Sequence, residues 1–160
     1  MSLSMYQASI PVLTRALQNL RHVLSKAAEH CEANKIEHAV LVGFRLYPNM
    51  RPLSFQVQVA CDMSKGCAVR LGGIEAPKFE DKEQTFPELQ ARIDATLDVL
   101  AGVKPEQIDG SEAKPVVLKT PRGDLNFEGL SYLQGFVIPN VYFHCATAYN
   151  ILRHNGVDIG

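Results

Sequence analysis

Apolar residues recur at alternating steps of four and three through the first part of the chain, at Leu13, Leu17, Leu20, Leu24, Ala27 and Cys31. That rhythm follows the 3.6-residue helical period and lays one apolar stripe along an amphipathic helix. Pro11 fits the first turn of this helix with Ser9 as its N-cap, and a shorter helical piece can precede it. Leu46 to Pro52 is a connector, because Pro48 and Pro52 disfavour helix at themselves and at the residues before them. A second stripe begins near Leu53 or Ser54 and runs Leu53, Val57, Ala60, Ser64, Cys67, Leu71, closed by Gly72-Gly73 as a left-handed stop.

A third helix announces its own start. Thr85-x-x-Glu88 with Pro87 reads as a capping box, and Phe86, Leu89, Ile93, Leu97 and Leu100 follow at helical spacing up to Gly102. The next region is rich in Gly, Pro and charge. Within it Pro115 to Lys119, a turn over Thr120 to Asp124, and Leu125-Asn126-Phe127 predict a short β-hairpin. A last helix is expected from about Leu130 to His154, with Asn155-Gly156 as its stop. Pro139 interrupts it at a cost of about 3 kcal/mol in a regular interior, so a kink or two abutting helices are expected. Gly135, whose carbonyl loses its usual donor to that proline, has no Cβ to resist the distortion. The expected fold class is therefore all-α, a four-helix bundle with a short β-hairpin in the crossover before the last helix.

Composition narrows the picture. The 160 residues, 46% of them hydrophobic, suit one domain over 1–160 with a continuous core. Sixteen basic and 17 acidic residues give a net charge of −1 with no long run of either sign, so no nucleic-acid partner and no membrane-surface partner are expected. No apolar stretch nears the ~20 residues of a bilayer span, and the N-terminus lacks a signal-peptide pattern. The four cysteines, Cys31, Cys61, Cys67 and Cys145, form no Cys-x-x-Cys pair and read as buried reduced thiols, which gives a cytoplasmic expectation. Met1 to Leu3 are set aside from fold reasoning.

Common nucleotide, hydrolase and zinc-protease motifs are absent. What remains is a set of polar residues on the second and last helices. His144 shares a face with Asn140, Val141, Thr147, Ala148 and Ile151, so its imidazole is expected toward the bundle interior, as a metal ligand, a general base or a satisfied core histidine. Asp62 on the second helix is a candidate ligand or orienter of His144, against the reading of an exposed charge partner. Asp62 and His144 are thus the candidate catalytic and metal residues, and Asn140, His144 and Tyr149 the candidate ligand-binding set. Cys61 and Cys145 can approach across helices, where inert core thiols are expected. His154 complements the negative end of the last helix.

The tail from Pro139, Pro-Asn-Val-Tyr-Phe-His-Cys-Ala-Thr-Ala-Tyr-Asn-Ile-Leu-Arg-His-Asn-Gly-Val, resembles the signature of an uncharacterised bacterial family known only as a domain of unknown function. Arg45-Leu46-Tyr47-Pro48-Asn49-Met50 and the stretch from Phe55 through Asp62, Lys65-Gly66 and Arg70-Leu71 carry the same likeness. The resemblance spans nearly the whole chain and is identified with the DinB/YfiT-like superfamily. It implies an up-down-down-up four-helix bundle, often a homodimer, with an interhelical pocket for a small molecule. Better-known superfamily members hold a metal on three histidines, one on the second helix and a His-x-x-x-His pair on the last, and some are thiol-dependent transferases or isomerases. Here His144 matches one member of that pair, but the position four residues on is Ala148 and the second helix offers Asp62. Zinc or nickel is the divalent ion such a site would take, and the expectation is a degenerate site holding none.

Overall fold

The computed structural model describes residues 3–160; Met1 and Ser2, which belong to the stretch set aside above, lie outside the described residues. The first helix, α1, spans Met5–Asn34 and buries every residue of the predicted stripe. It begins earlier than expected. Ser4, not Ser9, is its N-cap, in a capping box with Gln7, while the Ser9 hydroxyl donates to the Met5 carbonyl inside the helix at 2.7 Å. Pro11 lies within the helix and is tolerated because it is exposed, as is Gln7, whose carbonyl loses a donor but faces water. A short helix, α2 (His38–Val42), precedes the proline connector.

Helix α3 (Leu53–Gly72) buries all six predicted stripe residues and stops at Gly73, whose φ of 66° is the left-handed conformation glycine adopts without strain. The connector 74–84 leads to α4 (Phe86–Ala101), where both hydrogen bonds of the Thr85/Glu88 capping box are made. After a single-turn helix, α5 (Pro105–Ile108), the predicted hairpin forms from β1 (Pro115–Thr120) and β2 (Gly123–Glu128). The strands pair antiparallel from Pro115 opposite Glu128 to Thr120 opposite Gly123. Val116 and Leu118 turn inward; β2 is largely exposed.

The interruption expected near Pro139 takes the form of two helical segments joined end to end. A short helix, α6 (Gly129–Tyr132), runs through a π-helical turn over Leu133–Val137 into α7 (Ile138–His154). The Ile138 amide donates to the Leu133 carbonyl, five residues back. This widened turn absorbs the proline, and the Asn140 side-chain amide donates to the Phe136 carbonyl at 2.7 Å.

The four long helices close a ring in which α1 packs on α4 and α7, and α3 packs on α4 and α7. Pairs that bridge helices give directions. Arg21 meets Asp94 and Ser25 meets Gln90, so α1 and α4 run antiparallel. Gln56 meets His144 and Arg70 meets Tyr132, so α3 is antiparallel to the last helix. The core lies inside this ring, and no helix among the described residues is long and apolar enough to cross a membrane.

Candidate functional site

Helix α7 holds His144 half-buried between buried Val141 and buried Ala148, on the face that meets α3. Its Nδ1 lies 2.7 Å from the Gln56 Oε1. Gln56 is itself buried, and its Nε2 donates to the Arg51 carbonyl at 3.0 Å, which fixes the amide with its oxygen toward the imidazole. An amide oxygen only accepts, so Nδ1 carries the proton and Nε2 keeps a lone pair. Burial pushes the His144 pKa below its ordinary 6.5, reinforcing the neutral form. The imidazole meets Phe143 and Phe55 edge-on, with ring centroids 5.1 and 6.2 Å away, and the Arg51 guanidinium sits 5.0 Å from the Phe55 ring centroid.

The other expected ligand residues are engaged locally. Asn140 supports the π-helical turn, and the Tyr149 hydroxyl donates to the Ile159 carbonyl at 3.2 Å. Burial raises the Cys61 and Cys145 thiols to about 12, so both are held as protonated thiols.

Asp62 keeps different company from His144. Its Oδ1 accepts from Arg92 Nη2 at 3.0 Å and stands 3.3 Å from Lys65 Nζ. The Arg92 side chain, only 2% exposed, also donates through Nη1 to Asp81 at 2.8 Å and Glu83 at 2.9 Å. Glu83 takes a further bond from Gln58 at 2.8 Å. Burial alone would raise the Glu83 pKa, but these hydrogen bonds and the Arg92 charge together hold it below the usual carboxylate value. Phe79 lies between two cations, with Lys65 Nζ 4.0 Å and Arg92 Cζ 4.8 Å from its ring centroid. The connector 74–84 is thereby pinned across α3 and α4, and three clefts open around it and Asp62, of about 500, 540 and 230 Å³.

The expected Asp62–His144 pair is therefore replaced by two separate constellations, His144 with Gln56 and Asp62 with Arg92. Neither partner was singled out from the sequence, although the spacing held a signal. Gln56 stands three after Leu53 and four before Ala60, and Arg92 three after Leu89 and four before Thr96, so both are polar residues at core-facing positions. The resemblance's metal site does not fit these residues. His144 stands without the second histidine of the pair, since position 148 is a buried alanine, and the Asp62 carboxylate is held by two cations. Among the described residues no group of three or more His, Cys, Asp and Glu side chains is placed to share an ion.

Comparison with known proteins agrees with this architecture. The family described as "Domain of unknown function (DUF1993)" matches residues 5–160. Among solved structures, the crystal structure of a DinB family member protein from Shewanella denitrificans is similar, with 36% identity and a TM-score of 0.87. That likeness covers 97% of this chain and 88% of the other. No curated protein matches.

Proposed function

The chain belongs to the DUF1993 family and is DinB-like in structure, and we propose that it is a metal-independent small-molecule-binding protein in which His144 offers a neutral imidazole to its ligand. The observation that carries the role of His144 is the chain of hydrogen bonds from the Arg51 carbonyl through Gln56 to His144 Nδ1, which commits the proton to Nδ1 and leaves Nε2 an acceptor. A free lone pair on an imidazole accepts from a ligand hydroxyl or amide, or takes a proton as a general base. Phe55 and Phe143 supply an aromatic surround for an apolar group. The antiparallel pairings of α1 with α4 and of α3 with the last helix support the up-down-down-up order of the DinB/YfiT superfamily.

The test combines zinc and nickel calorimetry with a thermal-shift screen of small hydrogen-bond-donating fragments on wild type and His144→Ala. The expected outcome is no stoichiometric metal uptake, together with fragment shifts in wild type that His144→Ala loses. One tightly bound metal per chain, abolished in His144→Ala, would overturn the metal-independent reading; fragments that shift both proteins equally would overturn the role of His144.

A homodimer is a second reading, favoured by one feature. Leu20 and Val23 of α1 and Tyr142, Cys145 and Tyr149 of α7 line a mainly apolar groove of about 260 Å³, in which Tyr142 is 51% exposed. A second copy seated there predicts a dimer by sedimentation that Tyr142→Glu dissociates, whereas a concentration-independent monomer excludes it.

A further inference from the structure

The smaller of the two clefts that Asp62 lines lies where α3, the hairpin and the π-helical turn meet, about six residues along α3 from the Gln56–His144 pair. We propose that this cavity binds a small organic carboxylate with an aromatic or apolar body, its carboxylate on Arg70 and Lys119. The proposal does not rest on the His144 reading, because neither His144 nor Gln56 lines the cavity.

Arg70 is the anchor. Its Nη1 donates to the hydroxyl of fully buried Tyr132 at 3.0 Å, while Nε and Nη2 have no protein partner among the described residues. A guanidinium held by one nitrogen and free at two others presents the fork that matches a carboxylate in two parallel hydrogen bonds. Lys119, on β1, lines the same cavity and likewise has no protein partner among the described residues. The one carboxylate in the wall, Asp62, is already paired with Arg92 and Lys65, so the cavity has a surplus of positive charge.

Gly66 supplies an independent sign that the position of Arg70 matters. Asp62, Gly66 and Arg70 follow one another at i, i+4 and i+8 along one face of α3. Glycine disfavours a helix interior, and nothing in the local backbone calls for one here, since no positive φ occurs at this residue. A Cβ at position 66 would stand 2.3 Å from Arg70 Nη1 and 3.8 Å from the Tyr132 hydroxyl. The missing side chain is thus what lets the guanidinium fold back along the helix to Tyr132 and face the cavity. The clash is with the far end of a flexible side chain, so an alanine there would turn Arg70 aside without disturbing the fold.

The remaining walls fit an apolar body. Met63 and Leu118 face the cavity from α3 and β1. Phe136 reaches it from the π-helical turn, stacked against Tyr132 at 6.1 Å between ring centroids. Such single π turns recur at functional sites because the extra residue re-aims side chains within a helix. The volume of about 230 Å³ falls below the ~300–1,000 Å³ of pockets for drug-sized ligands, which restricts the occupant to a small acid.

The experiment is an amide NMR titration of the full chain with phenylacetate and with its uncharged analogue phenylacetamide. Phenylacetate is expected to give saturable shifts centred on Met63, Leu118 and Phe136, with at least tenfold weaker binding of phenylacetamide. Arg70→Gln and Gly66→Ala should each weaken phenylacetate at least tenfold, and Arg15→Gln, a distant surface cation, should not. Equal affinity for the two compounds, shifts centred elsewhere, or unchanged binding by Arg70→Gln would overturn the proposal. Inorganic phosphate binding as tightly as phenylacetate would overturn the ligand class.

Discussion

Replacing Arg92 with methionine tests the ionic cluster that pins the connector across the clefts. The three acids around Arg92 are not equivalent. The Asp62 and Asp81 side chains are 43% and 60% exposed, so their pairs behave as surface salt bridges worth about 0–1 kcal/mol each, and both carboxylates rehydrate when the guanidinium goes. Glu83 is 10% exposed and would be left with Gln58 as its only side-chain partner. Stranding a buried carboxylate costs about 3–5 kcal/mol, and the residual Gln58 bond places the expected loss near the lower end, at about 3 kcal/mol. For a domain of this length that corresponds to a melting temperature lower by roughly 6–12 °C. Urea unfolding of Arg92→Met, Glu83→Gln and the double variant measures it, with the double variant recovering roughly 1–2 kcal/mol over Arg92→Met because no charge is stranded.

The same cluster fixes a pH dependence. The Glu83 pKa is lowered in the folded protein, so its contribution is fully present above the unfolded carboxylate value of 4.5 and is lost as pH falls through the lower folded value. Arg92→Met should flatten that acid limb. A loss below about 1 kcal/mol with an unchanged acid limb would refute the reading of Glu83 as the buried, charge-dependent member of the cluster.

Two further perturbations probe the packing. A Cβ on Gly129 would lie 2.0 Å from the backbone carbonyl of Ser111, which no rotamer change relieves, so Gly129→Ala should destabilise by about 2–3 kcal/mol or more in urea; a near-neutral result would mean that the hairpin exit is not packed this closely. Cys61 and Cys67, both fully buried and raised to about 12, should resist thiol reagents at pH 8 and react only on unfolding, so rapid native-state labelling of either would contradict their placement.

Much of the bundle was legible in the residue pattern because its long helices carry their information locally. The α3 stripe and the Thr85/Glu88 box each depend on residues a turn or two apart, and both appear where the spacing put them. Helix α1 starts earlier than Pro11 suggests, for a physical reason. Proline suits a first turn, but an exposed proline is also tolerated inside a long helix whose packed face supplies the stability, and the Ser4/Gln7 box lies before it. At Pro139 a disruption was legible and the π turn was not, since a π turn, a kink and a break all relieve the same missing donor.

The site was harder to read because its geometry is set between helices. His144 is half-buried on the face that its helical spacing predicts, yet no spacing rule pairs residue 144 with residue 56, and Asp62 matches instead the reading of a charge partner, with Lys65 on its own helix. What decides the matter is Arg92, a cation that claims Asp62 from a third helix. Polar residues at core-facing positions, Gln56 and Arg92 alike, were the available signal.

The protonation of His144 is where the functional reading is most exposed. Nitrogen-15 NMR of the imidazole reports both the tautomer and the titration midpoint. The predicted result is a proton on Nδ1, a bare Nε2, and a midpoint below 6.5 because burial disfavours the charged ring. Gln56→Leu should release the tautomer preference. The corresponding stability term is fully present above pH 6.5 and is lost as pH falls through the lower folded value. A proton on Nε2, or a midpoint above 6.5, would contradict the hydrogen-bond chain from Arg51 through Gln56 and with it the acceptor role proposed for His144.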